Sequence, residues 1–234
     1  MDIRSLQERA ASELKRFDPE GIRHSRSPRP YMIELFGTPK AGKSTIKEML
    51  KHLFRRSGWR VSAPTEGAEV VEWKRDEPVY NFQTCEYALS AARDRSFSDF
   101  HVVIFDRAIY DGVVRMEYYA QKGTITREQQ SLIEGYYLLP WNTDLFDLHI
   151  CLVSTPEVAI RRELAHALTE QHGKTMNPET LKGLLAAHES MWARRVCEKN
   201  PKLTWHDSSV ETEEQTAKAV LESALDAFER RIIV

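Results

Sequence analysis

Tyr31-Met-Ile-Glu-Leu-Phe-Gly37-Thr-Pro-Lys-Ala-Gly42-Lys43-Ser44-Thr45 is the stretch on which the fold turns. Tyr31 to Phe36 is a short apolar run ending at Gly37, and apolar residues return at helical spacing from Ser44 to Arg56, so the order is strand, loop, helix. Between strand and helix, Gly37-x4-Gly42-Lys43-Ser44 has the spacing of a phosphate-binding loop. Glycines let such a backbone curl until successive N–H groups point at phosphate oxygens, and the helix behind presents the positive end of its dipole. Gly37, Thr38, Pro39, Lys40, Ala41, Gly42, Lys43, Ser44 and Thr45 are therefore the candidate nucleotide-binding residues. Lys43 is expected to reach the β- and γ-phosphates of ATP, and Ser44 to hold the Mg2+ that bridges them.

Outward from this loop, strand-like and helix-like segments alternate. Upstream, Leu6, Ala10, Leu14 and Phe17 recur at helical spacing over residues 3 to 17, and Asp18-Pro-Glu-Gly stops that helix. The proline- and arginine-containing segment to Pro30 reads as a linker, so residues 1–30 form an N-terminal helix and linker and 31–234 the main domain. Downstream, strands are expected at 59–63, 101–106, 148–153 and 203–206. Helices are expected at 82–97, 111–122, 126–139, 178–197 and 212–232. Thr155-Pro156-Glu157 offers an N-cap, a proline at the first helical position and an acid in the first turn, so another helix starts there. Gly173 and Pro178 interrupt it, which makes about 156–180 a candidate helical lid. The alternation implies an α/β fold of the P-loop NTPase class, a parallel five-stranded sheet flanked by helices.

The bulk properties agree with a folded globular domain. Of 234 residues, 41% are hydrophobic and 29% charged, which permits a large core and argues against a disordered chain. A formal net charge of -2 gives little pull toward nucleic acid or membranes, although the basic stretch from Arg23 to Arg29 leaves a phosphate contact open beside a solvated loop. Cys85, Cys151 and Cys197 lie far apart without metal-ligand spacing, which suggests neither a zinc site nor a disulfide framework. No run is apolar enough to cross a bilayer or to act as a signal peptide, so the expected compartment is the reducing cytoplasm.

Asp106 closes the strand from His101, and in a parallel sheet that end faces the same crevice as the phosphate loop. A carboxylate there can anchor Mg2+ or cap the helix that follows, and both roles stay open. At this point the chain resembles a family. Phe105-Asp-Arg-Ala-Ile-Tyr-Asp111 is similar to the acid-Arg-Ser/Thr-x-Tyr segment of deoxyribonucleoside kinases, and Asn81-Phe-Gln-Thr84 resembles their substrate-binding Phe-Gln helix. Thr155-Pro-Glu-Val-Ala-Ile-Arg161 resembles the opening of their lid helix, and His188-Glu-Ser-Met-Trp192 a late His-Glu-Ser-Trp-like run. The thymidylate kinases share the loop and the Asp-Arg pair.

The resemblance implies a nucleoside or nucleotide kinase that uses ATP and Mg2+ on a small-molecule acceptor; a homodimer is left open. Glu66 matches the position of the general base, and Gln83 would hydrogen-bond the base edge. Trp73, Tyr80, Phe82 and Tyr87 either wall the pocket or belong to the core. Arg107 would sit at the transferred phosphate. Arg161 and Arg162 open the lid, as phosphate clamps or as solvated cations, with His172 and Lys174 behind them. His206-Asp207-Ser208 falls where such kinases cradle adenine, or forms a simple turn. The chain departs from the pattern at Ala108, where Ser or Thr is usual, and at Ser90, where an arginine is expected and only Arg93 and Arg95 are near. Three functions follow: a nucleoside kinase, a nucleoside monophosphate kinase that uses Arg93, Arg95 and Arg107 on the acceptor phosphate, and a regulatory ATPase without a small acceptor.

Overall fold

In the computed structural model residues 2–18, 29–73, 77–166, 175–197 and 200–233 are described. The chain runs α1 (Ile3–Phe17), β1 (Tyr31–Gly37), α2 (Lys43–Arg56), β2 (Val61–Ser62), α3 (Gly67–Val70), α4 (Pro78–Ala92), β3 (Val102–Asp106), α5 (Ile109–Gln121) and α6 (Arg127–Tyr137). It continues through α7 (Pro140–Thr143), β4 (Leu148–Val153), α8 (Pro156–His166), α9 (Pro178–Cys197), β5 (Leu203–Asp207) and α10 (Glu213–Ile233). The five strands form one parallel sheet in the order β2-β3-β1-β4-β5, as the alternation implied.

β1 lies in the middle and all seven of its residues are buried, because helices cover both sheet faces. Its alternate residues sort into two cores. Tyr31, Ile33 and Leu35 face α1, α2 and α10, where Leu50, Phe54, Val220 and Phe228 bury their side chains. Met32 and Phe36 face α4, α5 and α9, among Leu89, Tyr110, Val113, Leu184 and Met191. α1 joins the first of these cores. Leu6 and Ala10 are fully buried, the Trp59 indole N–H donates to the Ala10 carbonyl at 2.9 Å, and Arg9 pairs with Asp226 and Glu229 of α10, each at 2.6 Å.

Several boundaries differ from expectation. The second strand shrinks from 59–63 to Val61–Ser62 because it is an edge strand whose pairing with β3 covers only those two residues. α4 starts at Pro78, four residues early, since proline is well suited to the first helical turn, and it ends at Ala92, after which Asp94 caps a 3-10 turn. α3 and α7, four residues each, carry too little periodicity to be seen.

From β1 the chain turns toward β2 and β3, and from β3 it crosses β1 to reach β4. The carboxyl ends of β1 and β3 therefore flank the switch point of the sheet, where α/β folds open a crevice. Gly37 and Asp106 stand at those two ends.

Candidate active site

The loop after β1 is drawn tight against β4. A Cβ on Gly37 would lie 1.7 Å from the Leu152 carbonyl oxygen, so only glycine fits there. The Thr38 N–H donates to that same oxygen at 3.0 Å, and the Thr38 hydroxyl accepts from the Ser154 N–H at 2.8 Å. Gly42, at φ 95°, caps the start of α2 without a side chain. The first-turn N–H groups of Lys43, Ser44 and Thr45 have no acceptor four residues back within the helix. All three residues line a hollow of about 510 Å³, with Lys40, Asp106, Arg107, Arg162 and Ser208 also in its wall.

Lys43 is folded back over its own loop, donating to the carbonyls of Gly37 at 3.1 Å and Thr38 at 2.7 Å. Burial of the ammonium, then the repulsion of Arg107, bring its pKa down to about 8. One turn along the same face of α2 lies a residue that the sequence reading did not single out. Lys47 reaches Asp106 at 2.9 Å. Burial opposes its charge most strongly, but the bond to Asp106 and the negative charges of Asp106, Glu66 and Glu48 together outweigh that and raise its pKa.

Asp106 is not the cap of the following helix. The N-cap position is Ala108, which has no capping side chain, and the amides of α5 are taken by Glu34, from the middle of β1. One oxygen of Glu34 accepts from the N–H groups of Ala108 (2.8 Å), Tyr110 (3.0 Å) and Asp111 (3.1 Å). The other lies 2.7 Å from His149 Nδ1 in β4, its register partner. The intervening residue, Arg107, has φ 67° and is anchored by its N–H to the Leu35 carbonyl at 2.8 Å.

From that turn the Arg107 guanidinium extends to Glu66, 3.0 Å away just before α3. Burial works against the charge on Arg107, and Asp111, Glu66 and Asp106 together overcome it and raise its pKa. Burial also raises the pKa of Glu66, with Arg107 only partly offsetting it. Glu66 and Arg107 border the phosphate-loop hollow and also a second, narrow cleft of about 10 Å³ behind it, lined further by Tyr80, Thr84, Cys85 and Asp111. Asp111 is buried, and among the described residues one of its oxygens has no hydrogen-bond partner. Burial disfavours its charge, yet Arg107, Arg115 and Lys43 prevail and hold its pKa low.

The structure thus brings Lys43, Ser44, Glu66, Asp106 and Arg107 to one crevice and adds Tyr80 to the cleft behind it. Other candidates lie elsewhere. Phe82 is tilted against Tyr137 at 5.8 Å, Gln83 is exposed, and Tyr87 is half-buried. Trp73, half exposed, donates its indole N–H to Glu77 at 2.9 Å. None of these four lines the cleft. Thr84 does, and its relation to Tyr80 is the i, i+4 spacing that a helix begun at Pro78 makes legible. Arg93 hydrogen-bonds Asn142, and Arg95 is exposed in the turn after α4.

On the lid side Arg161 is exposed. Arg162 donates to the Lys40 carbonyl (2.9 Å) and to the hydroxyl (3.0 Å) and carbonyl (2.7 Å) of Ser208, while Lys40 pairs with Glu163 at 2.6 Å. α8 is thereby latched to the phosphate loop and to the turn after β5. The Val158 N–H lies 3.4 Å from the Thr155 hydroxyl, so the helix starts as its sequence predicted. Asp207 accepts from the Ser209 N–H at 2.8 Å, and burial lowers the His206 pKa. His188 is buried and stacked on Phe36 at 6.2 Å, its pKa brought down to about 4 by burial. His172, Lys174, the central part of the expected lid and the basic stretch before Arg29 lie outside the described residues. Among the described residues no helix is long and apolar enough to cross a membrane.

No family model and no curated protein sequence matches the chain. Solved structures do. Deoxyadenosine kinase from M. mycoides with bound dATP superposes with a TM-score of 0.53 and 19% identity, covering 82% of this chain and 97% of that one. The same enzyme with bound dCTP gives a TM-score of 0.56 at 19% identity, over 84% of this chain and 99% of that one. What the chain has in common with them is the fold, a five-stranded parallel sheet flanked by helices.

Proposed function

We propose that the protein transfers the γ-phosphoryl group of ATP to the 5′-hydroxyl of a nucleoside or deoxynucleoside. The observation that carries this reading is the shared wall: Glu66 and Arg107 border both the hollow above the phosphate loop and the cleft behind it. A donor in the first and an acceptor in the second would meet at these two side chains. The fold held in common with a deoxyadenosine kinase supports the same assignment.

In this reading the β- and γ-phosphates replace the Gly37 and Thr38 carbonyls as partners of Lys43, and the open amides of the α2 N-terminus take the remaining oxygens. The Ser44 hydroxyl and the Asp106 carboxylate, hard oxygen donors in one hollow, fit a Mg2+ held by few protein ligands and the phosphates themselves. That ion would neutralise charge on the transferring group. Lys47 then releases Asp106 and stays in the crevice as a further cation. Entry of the acceptor requires Glu66 and Arg107 to part, since the cleft as it stands has room for little more than a water molecule. The acceptor hydroxyl oxygen forms the new bond to the γ-phosphorus, the bond to the bridging oxygen breaks with its electrons leaving on ADP, and the hydroxyl proton passes to Glu66. The raised pKa of Glu66 makes it a stronger base than an ordinary glutamate. Arg107 stabilises the charge spread over the equatorial oxygens.

An acceptor monophosphate would call for more cations in the cleft. Of Arg93, Arg95 and Arg107 only Arg107 lines it, which favours the nucleoside over the nucleotide. A panel of nucleosides and monophosphates, followed by ADP release with and without Mg2+, tests the reading. Turnover with at least one nucleoside is expected. Turnover confined to monophosphates would overturn the acceptor assignment, and hydrolysis stimulated only by a protein partner would favour a regulatory ATPase.

A further inference from the structure

We infer that Glu34 is the positioning residue of this site: from the central strand of the sheet it supplies the helix cap that Ala108 lacks, and so sets the turn that carries Asp106, Arg107 and Asp111. The inference rests on the phosphotransferase reading for its effect on turnover, but its structural half stands apart from it.

Local chemistry leaves α5 without a cap of its own. A helix opens with N–H groups that have no intrahelical acceptor, and an N-cap Ser, Thr, Asp or Asn satisfies one of them with its side chain. α5 begins after Ala108, whose methyl group accepts nothing, at the position where the segment it resembles has Ser or Thr. The N–H groups there are nonetheless buried and bonded, because a carboxylate reaches them from beneath. Glu34 is fully buried, takes the amides of residues 108, 110 and 111, and is braced on its other oxygen by His149, itself buried.

Position follows from that arrangement. β1 grips the turn twice, through the Leu35 carbonyl on the Arg107 N–H and through the Glu34 carboxylate on the next amides. Between those grips Arg107 adopts φ 67°, a conformation that non-glycine residues enter only when their surroundings enforce it. The side chain sent out from this conformation is the one that meets Glu66 at 3.0 Å. Loosening the carboxylate would let the turn relax and carry Arg107 and Asp111 away from the cleft. Glu34 touches neither cleft nor hollow, so its action on chemistry is indirect.

Three variants test this. Glu34→Met keeps the length of the side chain and removes both acceptors; Glu34→Gln keeps one oxygen for the amides; Glu34→Met with Ala108→Ser returns an acceptor to the N-cap, in reach of the amides of 110 and 111. In E34M, kcat is expected to fall on the order of 10²-fold, the effect of a small misplacement of a reacting group, with KM for ATP unchanged. E34Q should retain most turnover, and E34M/A108S should recover part of what E34M loses. Amide hydrogen exchange at residues 108, 110 and 111, followed by NMR without substrate, should quicken in E34M and slow again in the double variant. Full kcat or unaltered exchange in folded E34M would overturn the inference. Should E34M not fold, the double variant decides: folding restored by the added N-cap hydroxyl supports a capping role, and a double variant that also stays unfolded overturns it. A wild-type protein inactive on every nucleoside and every monophosphate would refute the phosphotransferase reading and leave the exchange result standing.

Discussion

The two faces of the sheet are built on opposite terms. Toward α1, α2 and α10 the strands present Tyr31, Ile33, Leu35, Val102, Ile104, Leu148, Ile150 and Leu152, and the Tyr31 hydroxyl is satisfied by the Ala224 carbonyl at 2.9 Å. Toward α4, α5 and α9 the same strands present Met32, Phe36, Val103, Phe105, Cys151 and Val153, with Glu34 and His149 buried among them, and the helices there add Asp111, Arg115 and His188. A buried polar group is costly unless it is bonded, and an apolar replacement of equal volume is often as stable or more so. Stability alone therefore does not explain the second face. Three of them gather at the turn from Asp106 to Asp111: Glu34 on its amides, His149 behind Glu34, and Arg115 beside Asp111 at 3.6 Å. The first face is held by apolar packing, and on the second the inferred role of Glu34 is to aim the turn.

That division predicts which substitutions separate activity from stability. The largest separation is expected at the crevice itself. Lys43→Ala removes the cation that the donor hollow is built around and should lower turnover on the order of 10³-fold, as the loss of a preorganised electrostatic contact does. Thermal unfolding should move little, since the buried ammonium is itself a cost. Retained turnover in this variant would remove the donor site from the hollow. Glu66→Gln comes next. It keeps the shape of the shared wall but accepts no proton, so kcat should fall roughly 10²-fold while calorimetry finds ATP bound as before. Equal turnover would reject Glu66 as the base.

The pH dependence of kcat/KM reports the same pair in the free enzyme. Glu66 must be ionised to accept a proton, and its pKa is raised by burial, so the acid limb should lie above the range of an ordinary glutamate. Lys43 must be charged to hold phosphate, and its pKa is brought down to about 8, so the alkaline limb should begin near there, well below that of a solvated lysine. Glu66→Gln should erase the acid limb and leave the alkaline one. A profile flat through pH 8 would show that Lys43 keeps its proton by other means.

How much of this was readable in the chain follows from how local each feature is. The strand, glycine-containing loop and helix from Tyr31 to Arg56 are contiguous, so spacing and flanking periodicity make them and the parallel sheet around them legible. Glu34 lies three residues before that loop, yet within a strand buried on both faces it reads as an interruption in an apolar run. Its partners, Ala108 and His149, lie 74 and 115 residues away and enter only through the sheet register. Lys47 was hidden likewise, since an ordinary helix lysine becomes part of the site only when β3 brings Asp106 beside it. The sequence predicts Arg162 at the lid, as a phosphate clamp or a solvated cation, but its attachment to Lys40 and Ser208 depends on how α8 lies over the loop. The acceptor side was the least legible. It depends on which face of α4 turns inward: Gln83 is expected there only through the resemblance of Asn81-Phe-Gln-Thr84, whereas Tyr80 and Thr84 line the cleft, a pairing that becomes visible once the helix starts at Pro78.

The smallest predicted effect is the sharpest control on the contrast between the faces, because it sits next to Glu34 in the same strand. Ile33 points into the apolar core, fully buried, while Glu34 points the other way into the turn. Ile33→Val deletes one methylene and should cost about 1 kcal/mol of stability, read as a shift in the denaturation midpoint at constant slope. The kcat of the folded protein should change little, because Ile33 lines neither the hollow nor the cleft. A fall in kcat comparable to that of a Glu34 variant would mean that the central strand acts on the site as a whole, and that the two faces are not mechanically separate.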